Sequence, residues 1–240
     1  MFTSIRIIGR GRVGSAVAAR LIERGHRLVE DDAELVLLCV PDTAIGEVAR
    51  SIAPGPWIAH TSGATPLAVL TPHVKRFGLH PLQTIVPGRG AEQLDGAWAA
   101  ITGEDEQAVA RGVWLARELN LIPFHIREDF RALYHAGAAT ASNYLVTLHR
   151  AAVRMFEIAG APPEALLPLM RRVIDNGFEL TGPIARGDWK TVEAHLATLG
   201  EHAPDLEPLY RALANALAET QGAKTSALHE PSPTLESKQK

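Results

Sequence analysis

The stretch Ile5–Leu21, IRIIGRGRVGSAVAARL, constrains this chain more than any other. A short apolar run leads into Gly9-x-Gly11-x-x-Gly14, and a helical spacing of apolar residues follows. Strand, tight turn and helix in that order give each glycine a separate job. Gly9 permits the turn, Gly11 lets a pyrophosphate approach the backbone, and Gly14 lets helix and strand pack closely. Free N–H groups at the helix start, with the helix dipole behind them, favour a diphosphate. Gly9, Arg10, Gly11, Arg12, Val13 and Gly14 are therefore candidate dinucleotide contacts. The competing reading is a turn of the same shape that holds no cofactor; the flanking strand and helix favour binding.

Downstream, Gly25-His26 ends the first helix and Arg27–Glu30 can form a second short strand. Glu30 lies 21 positions after Gly9, a spacing that suits an acid on an adenosine ribose. Glu30, Asp31 and Asp32 can equally form a solvated turn. Carboxylates there favour NAD, whereas Arg10 and Arg12 could attract the extra phosphate of NADP, so both cofactors stay open. The next strand, within Glu34–Val40, starts almost at once, which leaves no room for a helix between the two.

Further along, ELVLLCV reads as a strand covered on both faces. Pro41 ends it, and Asp42 or Thr43 can cap the following helix. Strands are expected at Trp57–His60, over RFGLH ending at His80, near Ala97–Gly103 and at Leu121–Ile126, with a helix over Asp105–Leu119. Alternation of this kind predicts an α/β fold with a doubly wound, mainly parallel sheet, Rossmann-like in plan. From Glu128 to Gly160 the pattern becomes one long helix, and further helices follow from Pro162, from Asp188 as N-cap, and over Pro204–Ala218. The layout is a nucleotide-binding domain over 1–127, an all-helical domain over 128–222, and a polar, disordered tail over 223–240.

Composition narrows the function classes. A formal charge of -3 gives no reason to expect nucleic acid or an anionic membrane as partner. No apolar run is long enough to span a bilayer and no leader pattern opens the chain, so the cytoplasm is the expected compartment. Cys39, the single cysteine, is expected to be a buried strand thiol. The histidines lack zinc-ligand spacing, so no metal is expected.

Ligands of open α/β sheets bind beyond the carboxyl ends of the strands. Pro41, His60-Thr61-Ser62-Gly63 and His80-Pro81-Leu82-Gln83-Thr84 fall there. Ser62 is a candidate cofactor contact and His80 a candidate catalytic residue; each histidine can also be a satisfied structural residue. In YHAGAATASNY, helical spacing puts His135, Ser142 and Asn143 on one face with small residues between. An imidazole can move a proton near neutral pH and an amide can orient a carbonyl, which makes His135 and Asn143 catalytic candidates and Ser142 a substrate contact. Tight helix packing is the alternative use of the same small residues. Arg186, in TGPIARGD, can hold an anionic substrate group or form a structural ion pair.

VPDTAI, HTSG, LHPLQT, YHAGAATASNYL and TGPIARGD, in that order, resemble a bacterial family of Rossmann-like proteins whose second half is a domain of unknown function. The resemblance covers roughly residues 5–218. Its wider relatives are pyrroline-5-carboxylate reductase, prephenate dehydrogenase, the deazaflavin-dependent NADP reductases and the β-hydroxyacid dehydrogenases. It implies a helical second domain of 6-phosphogluconate dehydrogenase type and a homodimer joined through that domain. His80-Pro81 resembles the His-Pro near the nicotinamide of prephenate dehydrogenases, and Asn143 the helix asparagine of β-hydroxyacid dehydrogenases. The lysine those enzymes carry one turn earlier corresponds to Ala139 here, which leaves His135 as the proton donor. The reading is an NAD- or NADP-dependent oxidoreductase acting on a small carbonyl or imine; the alternative is a dinucleotide-binding sensor or assembly module without turnover.

Overall fold

Alternation along one strand explains how the sheet is covered. β3 (Leu35–Leu38) is buried at every position. Leu35 and Leu37 join one apolar cluster with Ala16, Val17 and Leu21 of helix α1 (Arg12–Glu23). Val36 and Leu38 join another with Ile45 and Ala49 of helix α2 (Asp42–Arg50). A strand with helices on both faces has no polar side, which is why its sequence reads as an unbroken apolar run. The computed structural model describes residues 1–220, so the polar tail lies outside the described residues.

Seven strands form one sheet in the order β2-β1-β3-β4-β5-β6-β7. They are β1 (Ser4–Ile8), β2 (Arg27–Leu28), β3, β4 (Trp57–His60), β5 (Arg76–Leu82), β6 (Trp98–Gly103) and β7 (Ile122–His125). Every neighbouring pair is parallel except β5 with β6. Helix α3 (Glu106–Glu118), capped by Asp105 through Ala108 N–H, joins β6 to β7. The fold is the Rossmann-like, mainly parallel α/β plan expected, with a helical region after it. Between β2 and β3 the chain makes only bends, with Asp32 in the left-handed region at φ 53°, so the second helix is absent.

Three local expectations are corrected. β5 does not end at His80 but runs to Leu82, because His80, Pro81 and Leu82 pair with Ala100, Ala99 and Trp98 of β6. Pro81 is tolerated there because β4 pairs with β5 only as far as Gly78, so no second ladder needs its N–H. Helix α2 starts one residue earlier than a cap at Asp42 requires. Pro41 is its N-cap, and no side chain caps it. The long helix after Glu128 is also interrupted. A 3-10 turn (Glu128–Phe130) leads into α4 (Arg131–Ala139), a π-helical turn (Thr140–Tyr144) and α5 (Leu145–Ile158). Thr140 and Ser142 donate their hydroxyls back to the carbonyls of Ala136 and Ala138, a bonding mode that loosens a helix at that point.

Two compact units result, Met1–Tyr144 and Leu145 onward. The first extends past the change of composition at Arg127 because Arg131 is anchored in it, as described below. In the second unit, α6 (Leu166–Asp175), α7 (Trp189–His202) and α8 (Glu207–Thr220) follow α5. Val192 and Leu196 of α7 pack with Ala214 of α8, and Arg154 pairs with Asp205. Asp188 caps α7 as expected, accepting from Thr191 N–H at 3.2 Å. No helix among the described residues is long and apolar enough to cross a membrane.

The glycine loop is held by contact with β3. Gly9 has φ +102°, and a side chain on it would strike the Cys39 carbonyl; one on Gly14 would strike the Gly9 carbonyl. Gly11 meets nothing within 4 Å. Gly14→Ala is therefore expected to cost on the order of 2–3 kcal/mol by overpacking, and Gly11→Ala at most about 1 kcal/mol as a poorer N-cap. Urea unfolding of the two variants checks the difference in cost.

Candidate functional site

At the carboxyl ends of the strands, the glycine loop comes first. Helix α1 begins at Gly11 without a side-chain cap and without an acidic residue in its first turn. Its first turn thus brings no side-chain cap and no carboxylate of its own to the helix's initial N–H groups. Arg10 and Arg12 flank this opening; Arg10 stands 3.8 Å from Glu30 and both are largely exposed. The acid and the base expected to compete for the cofactor's ribose end are therefore neighbours, and an ion pair this exposed holds neither of them firmly.

The row continues across β3 and β4. Asp42, the first residue of α2, accepts from Ser62 Oγ at 2.7 Å. Ser62 Oγ also accepts from Thr65 N–H at 3.0 Å and lies 2.8 Å from Thr65 Oγ1. Its hydroxyl thus serves to fold the HTSG loop. Asp42 forgoes the role of helix cap and ties that loop to the start of α2. Pro41 sits exposed at the end of β3. Desolvation pushes the Cys39 thiol up to about 12, so it is no nucleophile at neutral pH.

Two histidines meet above the loop. A methyl on Gly63 would lie 2.5 Å from Cδ2 of His135 and 3.0 Å from Nε2 of His80, so only glycine admits both rings here. The two imidazoles are 5.8 Å apart, edge to face. His80 Nδ1 is 2.8 Å from the Tyr134 hydroxyl, with the rings crossed at 82°. Burial, then the nearby His135 and Arg131, hold the His80 imidazole down to about 4, and burial pushes the Tyr134 phenol up to about 12. At neutral pH this is an uncharged imidazole beside an un-ionised phenol.

Arg131 brings these groups together. It is 2% exposed, and its guanidinium donates to the Ser62 carbonyl and to Thr102 Oγ1. Gly78 leaves the space, since a side chain there would fall 2.6 Å from Thr102 Oγ1 and 2.7 Å from the guanidinium. Glu128 lies 3.9 Å from Arg131 and accepts from Leu67 N–H at 2.5 Å, clamping the start of the helix to the sheet. Arg131, Tyr134 and His135 fall on one face of α4 by their i, i+3, i+4 spacing. That spacing was visible in RALYHAG, yet arginine in an exposed-looking helix gave no sign that it would be buried.

Sequence candidates thus divide. His80 and His135 come together; Gly63 and Tyr134, which stood in the candidate motifs without a role of their own, join them, and Arg131 joins them unforeseen. Asn143 lies in the π turn. Ser142 spends its hydroxyl on its own helix. Arg186 stands exposed on a 3-10 turn of the second unit. His60, at the end of β4, is fully buried with neither ring nitrogen partnered.

Known proteins were compared with the chain. Residues 97–217 match the family model described as a domain of unknown function, DUF2520. No curated protein matches. Among solved structures, a Bacteroides fragilis protein provisionally assigned as an NADP oxidoreductase is similar at TM-score 0.75 and 22% identity, covering 90% of this chain and 98% of that one. A semialdehyde dehydrogenase NAD-binding protein from Cupriavidus necator, in complex with calcium and NAD, has TM-score 0.61 and 21% identity over 92% and 98%. The 1-pyrroline-5-carboxylate reductase of Streptococcus pyogenes has TM-score 0.58 and 17% identity over 90% and 97%. At these identities the likeness establishes the shared fold.

Burial, with Arg131 next, pulls the His60 imidazole down to about 3. In the unfolded chain it takes a proton near 6.5. Between those values the unfolded state binds more protons, so stability is full above pH 6.5 and declines as pH falls toward 3. His80 acts in the same direction down to about 4. His60→Leu is expected to flatten the pH dependence of urea-unfolding stability between pH 6.5 and 4. An unchanged slope would place the acid sensitivity elsewhere.

Proposed function

The chain belongs to the DUF2520 family of domains of unknown function, and from that membership and the site above we propose that it is an NAD(P)-dependent oxidoreductase acting on a small carbonyl or imine. The observation that carries this reading is the meeting of His80, Tyr134 and His135 over Gly63, at the strand end that open α/β sheets use for ligands.

The residues present fit a nicotinamide dinucleotide. The uncapped start of α1 and the open face of Gly11 would hold the pyrophosphate, with Gly9, Val13 and Gly14 shaping the loop. Glu30 would meet a ribose hydroxyl, or Arg10 and Arg12 a 2′-phosphate; the 3.8 Å separation of Arg10 and Glu30 supports acceptance of both NAD and NADP. Pro41 and the loop bearing Ser62 would flank the redox-active ring. When bound, the cofactor supplies or accepts the hydride; the protein supplies position and electrostatics. His135 gives the reduced substrate's oxygen or nitrogen its proton, or removes it in the reverse direction. His80 steadies that same atom, and Asn143 orients the substrate. The electrostatics suit the role given to His80, because its ring stays uncharged at neutral pH.

Fluorescence titration with NADPH and NADH, followed by a turnover screen of small keto acids, aldehydes and imines, tests the proposal. Micromolar binding with turnover is expected, and His135→Ala should lower kcat by about 100-fold or more. Binding without turnover would favour the sensor reading, which the missing helix before β3 and Ala139 in place of a lysine support. No binding of either dinucleotide would overturn both.

We also propose a homodimer through the helical unit. Leu167, Leu169, Val173 and Ile174 of α6 and Val146 of α5 are large apolar side chains left exposed. Light scattering at micromolar concentration should give twice the mass of one chain, and Leu169→Asp with Val173→Asp should halve it.

A further inference from the structure

His80 can carry its single ring proton on either nitrogen, and the choice makes Nε2 a hydrogen-bond donor or an acceptor toward a substrate. Its surroundings favour one. The Tyr134 hydroxyl is its partner at Nδ1, 2.8 Å away. That phenol holds its proton firmly, since burial pushes it up to about 12. The imidazole is uncharged, with His135, Arg131, Asp42 and His60 the ionisable groups around it. A phenol is the better donor of the pair, and an uncharged imidazole nitrogen the better acceptor. The phenol therefore donates to Nδ1, and the ring proton stands on Nε2. Nε2 lies at the Gly63 edge, where a methyl would be 3.0 Å away and where the His135 ring also arrives. Both nitrogens of His60, by contrast, are sealed from solvent without a partner.

We propose that Tyr134 is a positioning residue that fixes His80 as the Nε2–H tautomer, so that a neutral imidazole donates a hydrogen bond to the carbonyl oxygen or imine nitrogen of the substrate. This rests on the oxidoreductase reading for its substrate class, but the tautomer is a property of the chain alone. Arg131 supports the arrangement by anchoring the first turn of α4, three residues before Tyr134, to Ser62 and Thr102. A neutral donor in this place polarises a carbonyl without surrendering a proton, which leaves proton transfer to the role proposed for His135.

Nitrogen-15 NMR of the histidine rings in the full chain at pH 7, with His80 assigned by comparison with His80→Gln, reads the tautomer directly. The Nε2–H form is expected. Tyr134→Phe should move the ring proton toward Nδ1 and lower kcat about tenfold with little change in KM. A wild-type Nδ1–H tautomer overturns the proposal, as does a Tyr134→Phe protein whose His80 tautomer is unchanged. Should that variant fail to fold by circular dichroism, the wild-type spectrum decides alone. If the wild type neither binds a dinucleotide nor turns over, the oxidoreductase reading fails, and the His80 tautomer in the same sample shows whether the Tyr134–His80 assignment fails with it.

Discussion

One buried cation organises the site. The Arg131 guanidinium reaches the carbonyl of Ser62, just beyond β4, and the hydroxyl of Thr102 in β6, passing through the space left by Gly78. The two terminal nitrogens of this deep guanidinium are occupied and its Nε is not, and because an unpaired buried charge is costly the two bonds it does make matter the more. Making them fixes α4 at the sheet's carboxyl edge. Tyr134 and His135 arrive as consequences of that position, one turn further on. The same charge, placed near His80 and His60, adds to burial in keeping both rings uncharged. Structure and electrostatics of the site therefore share one origin.

The antiparallel pairing of β5 with β6 matters for the same reason. Parallel strands would have ended β5 near the level of β4, at His60 and Gly78. Pairing with β6 carries the backbone two residues past His80, so this histidine stands on a strand rather than in a loop. Sites built on strands hold geometry more closely than sites built on loops. A hydrogen-bonded ring on a strand, facing a second ring on a clamped helix, has few ways to relax.

Much of this was legible in the residues. The glycine spacing, the unbroken apolar run of β3 and the alternation of strands and helices predict the sheet, because those patterns follow directly from which faces are covered. His80 and His135 were each identified from local rules, strand end and helix face. Their meeting was not legible, since it depends on Arg131 choosing two partners far away in sequence. The π turn at Thr140–Tyr144 also escaped. Its cause includes hydroxyls of Thr140 and Ser142 bonding to their own helix, and such bonds leave the apolar spacing intact. Strand direction at β6 escaped for a related reason: alternation of side chains reads the same in either direction.

A final step concerns what glycine accomplishes here. Gly9 and Gly14 are required by contacts within the protein: the Cys39 carbonyl stands where a side chain of Gly9 would go, and the Gly9 carbonyl where one of Gly14 would go. Gly63 is required because two rings stand against it. Gly11 meets nothing, and its φ of -71° suits any residue. Folding alone therefore places no steric demand on the second glycine of the motif. A bare backbone at the uncapped end of a helix, flanked by two arginines, is what a diphosphate needs in order to approach closely. The feature that the protein's own packing explains least is thus the one that points most directly to a ligand.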